Sequence, residues 1–208
     1  MKSGLTAILI TLSISGCSIQ APKPSWVTSN QKDQFTDKTI CTVQLAKYYI
    51  GTSAYTQTGE YYPFIEMVDN QLRVGVKSGG RVLIPVGDVQ LRIDNNPAWD
   101  ITTAETPTDN SPKNNYNFPS YSNLTSQQQA LITETEKSAM ASVVKSMSPY
   151  TATTGDKAQK IINQLISGNR LIYRTVGFNQ AGSTTGEYDL ASMRESLITG
   201  LNRCGVKY

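Results

Sequence analysis

Apolar and polar residues alternate most clearly in the first half of the chain. Leu72, Val74 and Val76 alternate with Arg73, Gly75 and Lys77, and Val89, Leu91 and Ile93 alternate with Gln90, Arg92 and Asp94. Val43 and Leu45 alternate with Thr42 and Gln44, and the run Phe64 to Val68 is followed by an Asp69-Asn70 turn. A period of two residues is that of a strand with one buried face. Residues 38–101 therefore read as short strands separated by turns, the pattern of an antiparallel meander. Ser78-Gly79-Gly80 reads as a hairpin turn, because paired glycines accept positive φ without strain. Val82 to Val86 reads as a further strand, with Pro85 marking an edge or a bulge.

The period lengthens in the second half. Ser126 with Gln129 forms a capping box that opens a helix over 126–147, which Pro149 stops. Thr154 and Asp156 start a second helix, in which Ala158, Ile161, Ile162 and Leu165 keep helical spacing and Gly168 closes the end. A strand follows over 170–178, then a turn over 181–186 and a short strand over 187–190. Leu190, Met193, Leu197, Leu201 and Cys204 form the clearest helical stripe in the chain. The fold class expected is α+β, an antiparallel β-meander or sandwich packed with about three helices.

Two stretches lack either period. Residues 18–37 read as a tether, stiffened by Pro22 and Pro24, with Trp26 its largest apolar residue and expected to dock on the domain. Residues 102–124, rich in Thr, Asn and Ser with Pro107, Pro112 and Pro119, read as a long loop.

At the N-terminus Lys2 precedes a short apolar run from Leu5 to Ile14, and Ile14-Ser15-Gly16-Cys17 closes it. A spanning helix needs about 20 apolar residues, so this run has the length of an export signal instead. The ending resembles the bacterial lipobox, in which an aliphatic and two small residues precede the cysteine that receives a diacylglycerol. The resemblance implies cleavage after residue 16, a covalent lipid on Cys17 and no other cofactor. It also implies an outer-membrane address, because Ser18 rather than Asp follows the anchor. Acyl chains contribute about 0.8 kcal/mol per buried CH₂, so the anchor is firm. The organisation expected is signal 1–16, anchor and tether 17–37, and one domain over 38–208.

Removing 16 residues from 208 leaves 192, enough for one core. The formal charge of +3 falls to +2 without Lys2, which offers no nucleic-acid surface. With Cys17 lipidated, Cys41 and Cys204 remain in a chain sent to an oxidising compartment. A disulfide clamping the domain ends is the simplest arithmetic, and two buried free thiols are the alternative. The chain contains no histidine. Ser-His and Cys-His catalytic pairs, imidazole-ligated zinc and a histidine pH switch are thereby excluded.

Several constellations could carry chemistry. Ser142-Val143-Val144-Lys145 resembles the S-x-x-K of penicillin-binding proteins, and Ser167-Gly168-Asn169 imitates their S-x-N. No K-T-G follows, since Thr184-Thr185-Gly186 lacks the lysine, so a helix face and a helix end are the better reading. Glu134, Glu136 and Lys137 read as a solvated helix surface. Asp94 and Asp100 flank Pro97 and Trp99, where a carboxylate pair beside an aromatic platform would suit a cation or a sugar, against a turn with Trp99 in the core. Asn123-Leu124-Thr125 matches a glycosylation sequon of little meaning in a bacterial lipoprotein. Five of eleven tyrosines cluster at Tyr48, Tyr49, Tyr55, Tyr61 and Tyr62, either as a partner-binding surface or as strand-edge core.

From Val82 to Asp94 the chain reads VLIPVGDVQLRID, and after Tyr188 it reads DLASMRESLITGLNRC. That order, a Pro-Gly turn, a strand closing on Asp and a final Leu-led helix, resembles the invasion-associated locus B family. The resemblance implies an exported, disulfide-bearing, β-rich fold with no established enzymatic step. The chain departs from the pattern in its lipobox, its helical segment at 126–168 and its fewer cysteines. The function expected is a non-catalytic, membrane-anchored envelope lipoprotein that binds another envelope protein, with Tyr48, Tyr49, Tyr55, Tyr61, Tyr62, Ser78, Gly79 and Gly80 as candidate contacts. The alternatives are an inhibitor of a wall-degrading enzyme acting through the 78–80 hairpin and a carboxylate-only hydrolase.

Overall fold

A computed structural model of the chain describes residues 23–46, 58–108, 124–176 and 185–208. The alternating segments pair in sequence order, as short turns between strands require. β1 (Ser25–Lys32), β2 (Thr39–Ala46), β3 (Tyr61–Val68) and β4 (Gln71–Ser78) form an antiparallel meander. β5 (Asp88–Ile93) and β6 (Trp99–Ile101) belong to a second antiparallel sheet. α1 (Ser126–Ser146), β7 (Tyr150–Thr154), α2 (Gly155–Ser167), β8 (Arg170–Val176), β9 (Thr185–Asp189) and α3 (Leu190–Arg203) complete the chain. The sheets run β1-β2-β3-β4-β7 and β6-β5-β8-β9, so the fold is α+β.

Between β3 and β4, Asp69 and Asn70 both take left-handed φ, 47° and 66°. That is the conformation a two-residue hairpin needs to match strand twist, and short polar side chains tolerate it. One face of each sheet meets α2 and α3 in a single core, with Val43, Ile65 and Val76 from the first sheet and Leu91, Ile93 and Leu171 from the second. The Tyr173 hydroxyl donates to the Tyr61 carbonyl and joins the two sheets. β4 and β7 approach so closely at Gly75 that a Cβ there would lie 1.9 Å from the Thr151 carbonyl oxygen.

Cys41 on β2 is bonded to Cys204, the C-cap of α3, with Cα atoms 5.4 Å apart. The bridge fastens α3 along β1 and β2. At the same contact the Trp26 backbone N–H donates to the Ser196 hydroxyl at 3.1 Å. Gly200 leaves no room for a Cβ, which would meet Val43 at 2.7 Å and Thr28 at 2.8 Å.

The structure corrects several local readings. The tether does not extend to residue 37, because Ser25–Lys32 is an edge strand paired along its whole length with β2. Its sequence is polar because only Trp26 is buried, and polar edges are how sheets avoid further pairing. Residues 82–86 form no strand. Pro85 lacks an N–H, Val82 and Leu83 face outward, and residues 79–87 carry the chain from one sheet to the other. Ser78-Gly79-Gly80 is accordingly no hairpin, and Gly80 and Gly87 take positive φ at the ends of that crossing. β7 was not legible, because Thr151 and Thr153 flank its single alanine and bury their hydroxyls against Gly87 and Glu105. The capping box of α1 sits one residue earlier, at Thr125 and Gln128. Residues 102–108 also carry structure, a 3-10 turn over Thr103–Glu105 capped by Thr102, while 109–123 lie outside the described residues. β9 begins at Thr185, within the predicted turn, whose residues 181–184 are not described.

Candidate functional site

The expected contact residues separate into two groups. Cys17, Tyr48, Tyr49 and Tyr55 lie outside the described residues. Tyr61, Tyr62, Ser78 and Gly79 are buried and Gly80 is half-buried, so they form no exposed surface. The Tyr61 hydroxyl donates to the Pro85 carbonyl at 3.1 Å, and burial pushes its pKa up. The Ser78 hydroxyl accepts the Ile84 N–H at 3.1 Å and holds the crossing segment in place. An inhibitory hairpin at 78–80 has no geometry to act with.

The carboxylates of the hydrolase reading are already engaged. Asp94 sits at φ 50° and accepts the backbone N–H groups of Asn169 at 3.0 Å and Arg170 at 2.9 Å. Asp100 accepts from the Gln90 amide at 2.6 Å, and the half-buried Trp99 packs against the core with its indole donating to Gln164 at 2.9 Å. The Ser142 hydroxyl donates to the Ser138 carbonyl of its own helix at 3.0 Å, while Lys145 donates to the Ala104 carbonyl. A general base must lie within hydrogen-bond reach of its proton, and here each partner points elsewhere.

A polar group on the first sheet escaped the sequence reading. The Thr42 hydroxyl donates to Glu66 at 2.8 Å, and the Lys77 ammonium lies 5.5 Å from the centre of the Phe64 ring. Burial lowers the Lys77 pKa against the opposing pull of Glu66. Arg73 is buried beside them and donates to Gln71 at 3.0 Å. The signal was present as charged residues at alternate positions in two otherwise apolar strands, but strand alternation alone assigns such residues to water.

α1 is the largest feature without a structural explanation. A helix ordinarily buries an apolar stripe, and most of its stability comes from that packing. α2 and α3 do so, but none of the 21 residues of α1 is buried. Leu131, Val143 and Met147 are 66%, 52% and 65% exposed, and Val143 and Met147 lie one turn apart. Ile132, Met140 and Val144 are half-buried. The helix forms because its capping box satisfies both ends of the Thr125–Gln128 pair and its composition favours helix.

A bracket presents it. Lys145 reaches the Ala104 carbonyl of the 3-10 turn. Glu105 of that turn is in turn held by Lys157 at 2.8 Å, by the Thr153 hydroxyl at 2.8 Å and by the Thr102 N–H at 2.8 Å. Burial raises the Glu105 pKa, but these three donors outweigh it and the carboxyl titrates below its ordinary 4.5. Thr102, Ala104 and Glu105 of this bracket lie in the segment that reads as a long loop and Thr153 on the strand that was not legible, while Lys145 and Lys157 come from the two predicted helices.

No family model, no curated protein and no solved structure matches the chain. The likeness to the invasion-associated locus B family rests on the residues quoted for it alone.

Proposed function

We propose that this chain is a non-catalytic envelope lipoprotein, held at the outer membrane by a lipid on Cys17, that binds a protein partner through α1. The observation that carries the reading is the helix itself, 21 residues long with no buried side chain and with Leu131, Val143 and Met147 turned to solvent. Exposed apolar side chains on a rigid, bracketed element are what a partner can cover at low ordering cost. The absence of histidine and the prior engagement of Asp94, Asp100, Ser142 and Lys145 favour binding over catalysis.

Two substitutions test the two halves of the reading. Cys17→Ser releases the protein from membranes, and unchanged membrane fractionation would sink the anchor. Leu131→Glu with Val143→Glu leaves thermal stability within about 0.5 kcal/mol, as for surface positions generally, and abolishes recovery of a partner crosslinked in intact cells. Unfolding of that variant would mean instead that the α1 face packs on its own domain.

A further inference from the structure

α3 lies along β1, the edge strand of the first sheet. The Trp26 backbone N–H meets the Ser196 hydroxyl at 3.1 Å, and a Cβ at Gly200 would stand 2.8 Å from the Thr28 hydroxyl. Two residues of strand and four of helix each advance about 6 Å, so the two elements run side by side in the same sense. Between them lies a cleft of about 600 Å³, lined on one side by residues 23–28 and on the other by the face of α3 that carries Ser192, Glu195, Thr199 and Arg203. Each side is about 16 Å long. Ligand sites are ordinarily clefts of this volume, about 300–1,000 Å³.

The polar groups of this cleft lack partners. Trp26 lines it and is only 4% exposed, yet its indole N–H has no acceptor among the described residues. A buried donor left unpaired is costly and rare in a folded protein. The chain's other tryptophan, Trp99, does pair, with Gln164. Lys23, Glu195 and Arg203 also have no ion-pair or hydrogen-bond partner among the described residues. Because strand and helix run in the same sense, Lys23 stands at the Ser192 end of the cleft and Arg203 at the Thr28 end. Glu195 lies about one turn in from the first of these.

We propose that this cleft binds an extended acidic segment of a protein partner, about five residues long, with a carboxylate near each end. The site uses neither α1 nor the anchor. Charge argues for this occupant, since a cation closes each end and the two outnumber the single Glu195. Length argues for it as well, because about five extended residues and their acidic side chains span about 16 Å. The hydroxyls of Ser25, Thr28 and Thr199 both donate and accept, as the amide groups of an extended backbone require. The Trp26 indole N–H donates to a carbonyl of the segment, and the flexible Met193 side chain gives way to admit it. Two cations are too few for a nucleic acid, and Trp26 is too deeply buried to offer its ring face to a sugar.

The test is a nuclear magnetic resonance titration of the full chain in detergent, isotope-labelled at its indole nitrogens, with the Trp99 signal assigned through Trp99→Phe. The probe is the blocked peptide acetyl-Glu-Ala-Ala-Ala-Glu-amide, compared with its counterpart carrying Gln at both ends and with inorganic phosphate. The acidic peptide should move the Trp26 indole proton downfield in a saturable way and leave Trp99 in place. Lys23→Ala and Arg203→Ala should each weaken binding about 2- to 5-fold, the worth of an exposed ion pair. The Gln peptide, which loses both pairs, should bind about 4- to 25-fold more weakly. Glu195→Gln should strengthen binding by about 2- to 5-fold, and all three variants should melt at the wild-type temperature. Four outcomes would overturn the proposal. They are no saturable shift at millimolar acidic peptide, equal affinity for the two peptides, unchanged affinity in both Lys23→Ala and Arg203→Ala, and a phosphate-induced Trp26 shift as large as the peptide's, which would leave an anion site only. None of these would touch the reading of α1.

Discussion

Removing the Cys41–Cys204 bridge is the perturbation whose magnitude follows most directly from the fold. The two cysteines are 163 residues apart in sequence. On the chain-entropy model, closing so long a loop in the unfolded chain contributes about 5 kcal/mol, an upper figure because residual structure and solvation reduce it. For a domain of this size each kcal/mol is worth about 2–4 °C in melting temperature, so the loss should be about 10–20 °C. The measurement is urea and thermal unfolding in a Cys17→Ser background, comparing Cys41→Ala, Cys204→Ala and the double variant. Each single variant should lose as much as the double, because a crosslink needs both ends. The urea m-value should rise as the freed unfolded chain exposes more surface. Midpoints for all three variants within about 1 kcal/mol of the bridged protein would refute the reasoning.

Acid should release α1 before it unfolds the domain. Because Glu105 titrates below its ordinary 4.5 in the folded state, its contribution is present above that value and disappears as pH falls through the lower one. Corrected for the intrinsic pH dependence of exchange, the protection of α1 amides should therefore fall in that acid window, and in Glu105→Gln it should not change across it. Asp94→Ala should cost about 1–3 kcal/mol, by stranding the Asn169 and Arg170 N–H groups and by strain at positive φ. Asp94→Gly, free of that strain, should recover part of the loss in a denaturant midpoint. Gly75→Ala should be destabilised by about 3 kcal/mol or more, because the added carbon would overlap the Thr151 backbone. A wild-type melting temperature for this variant would contradict the close β4–β7 approach.

What was legible depended on how strongly burial marked the sequence. β5, α2 and α3 each bury one face against the core, and β4 turns Val74 and Val76 into it, so their periods of two and about 3.6 gave their places directly. The cysteine pair followed from counting. β1 and β7 were lost because edge strands carry many polar residues, and their only buried apolar side chains are Trp26 and Ala152. Residues 78–86 misled in the opposite direction. A glycine pair and an apolar run imitate a hairpin, while Pro85 and the position of β5 in the other sheet send the chain across the core instead.

The candidate surfaces were the least legible part. Tyr61 and Tyr62 look like contact residues by type, but β3 is buried along most of its length. α1 is read from its capping box and from Pro149, and only the structure shows that none of its residues is fully buried.

The central claim is that the anchored protein holds a partner on α1. It is tested most directly by photo-crosslinking in intact cells from positions 131, 143 and 147, beside exposed positions on α2 and α3. One envelope protein captured from all three α1 positions, absent from the others and reduced in Cys17→Ser cells, is the predicted result. Equal labelling from α1 and from the control helices would contradict the account.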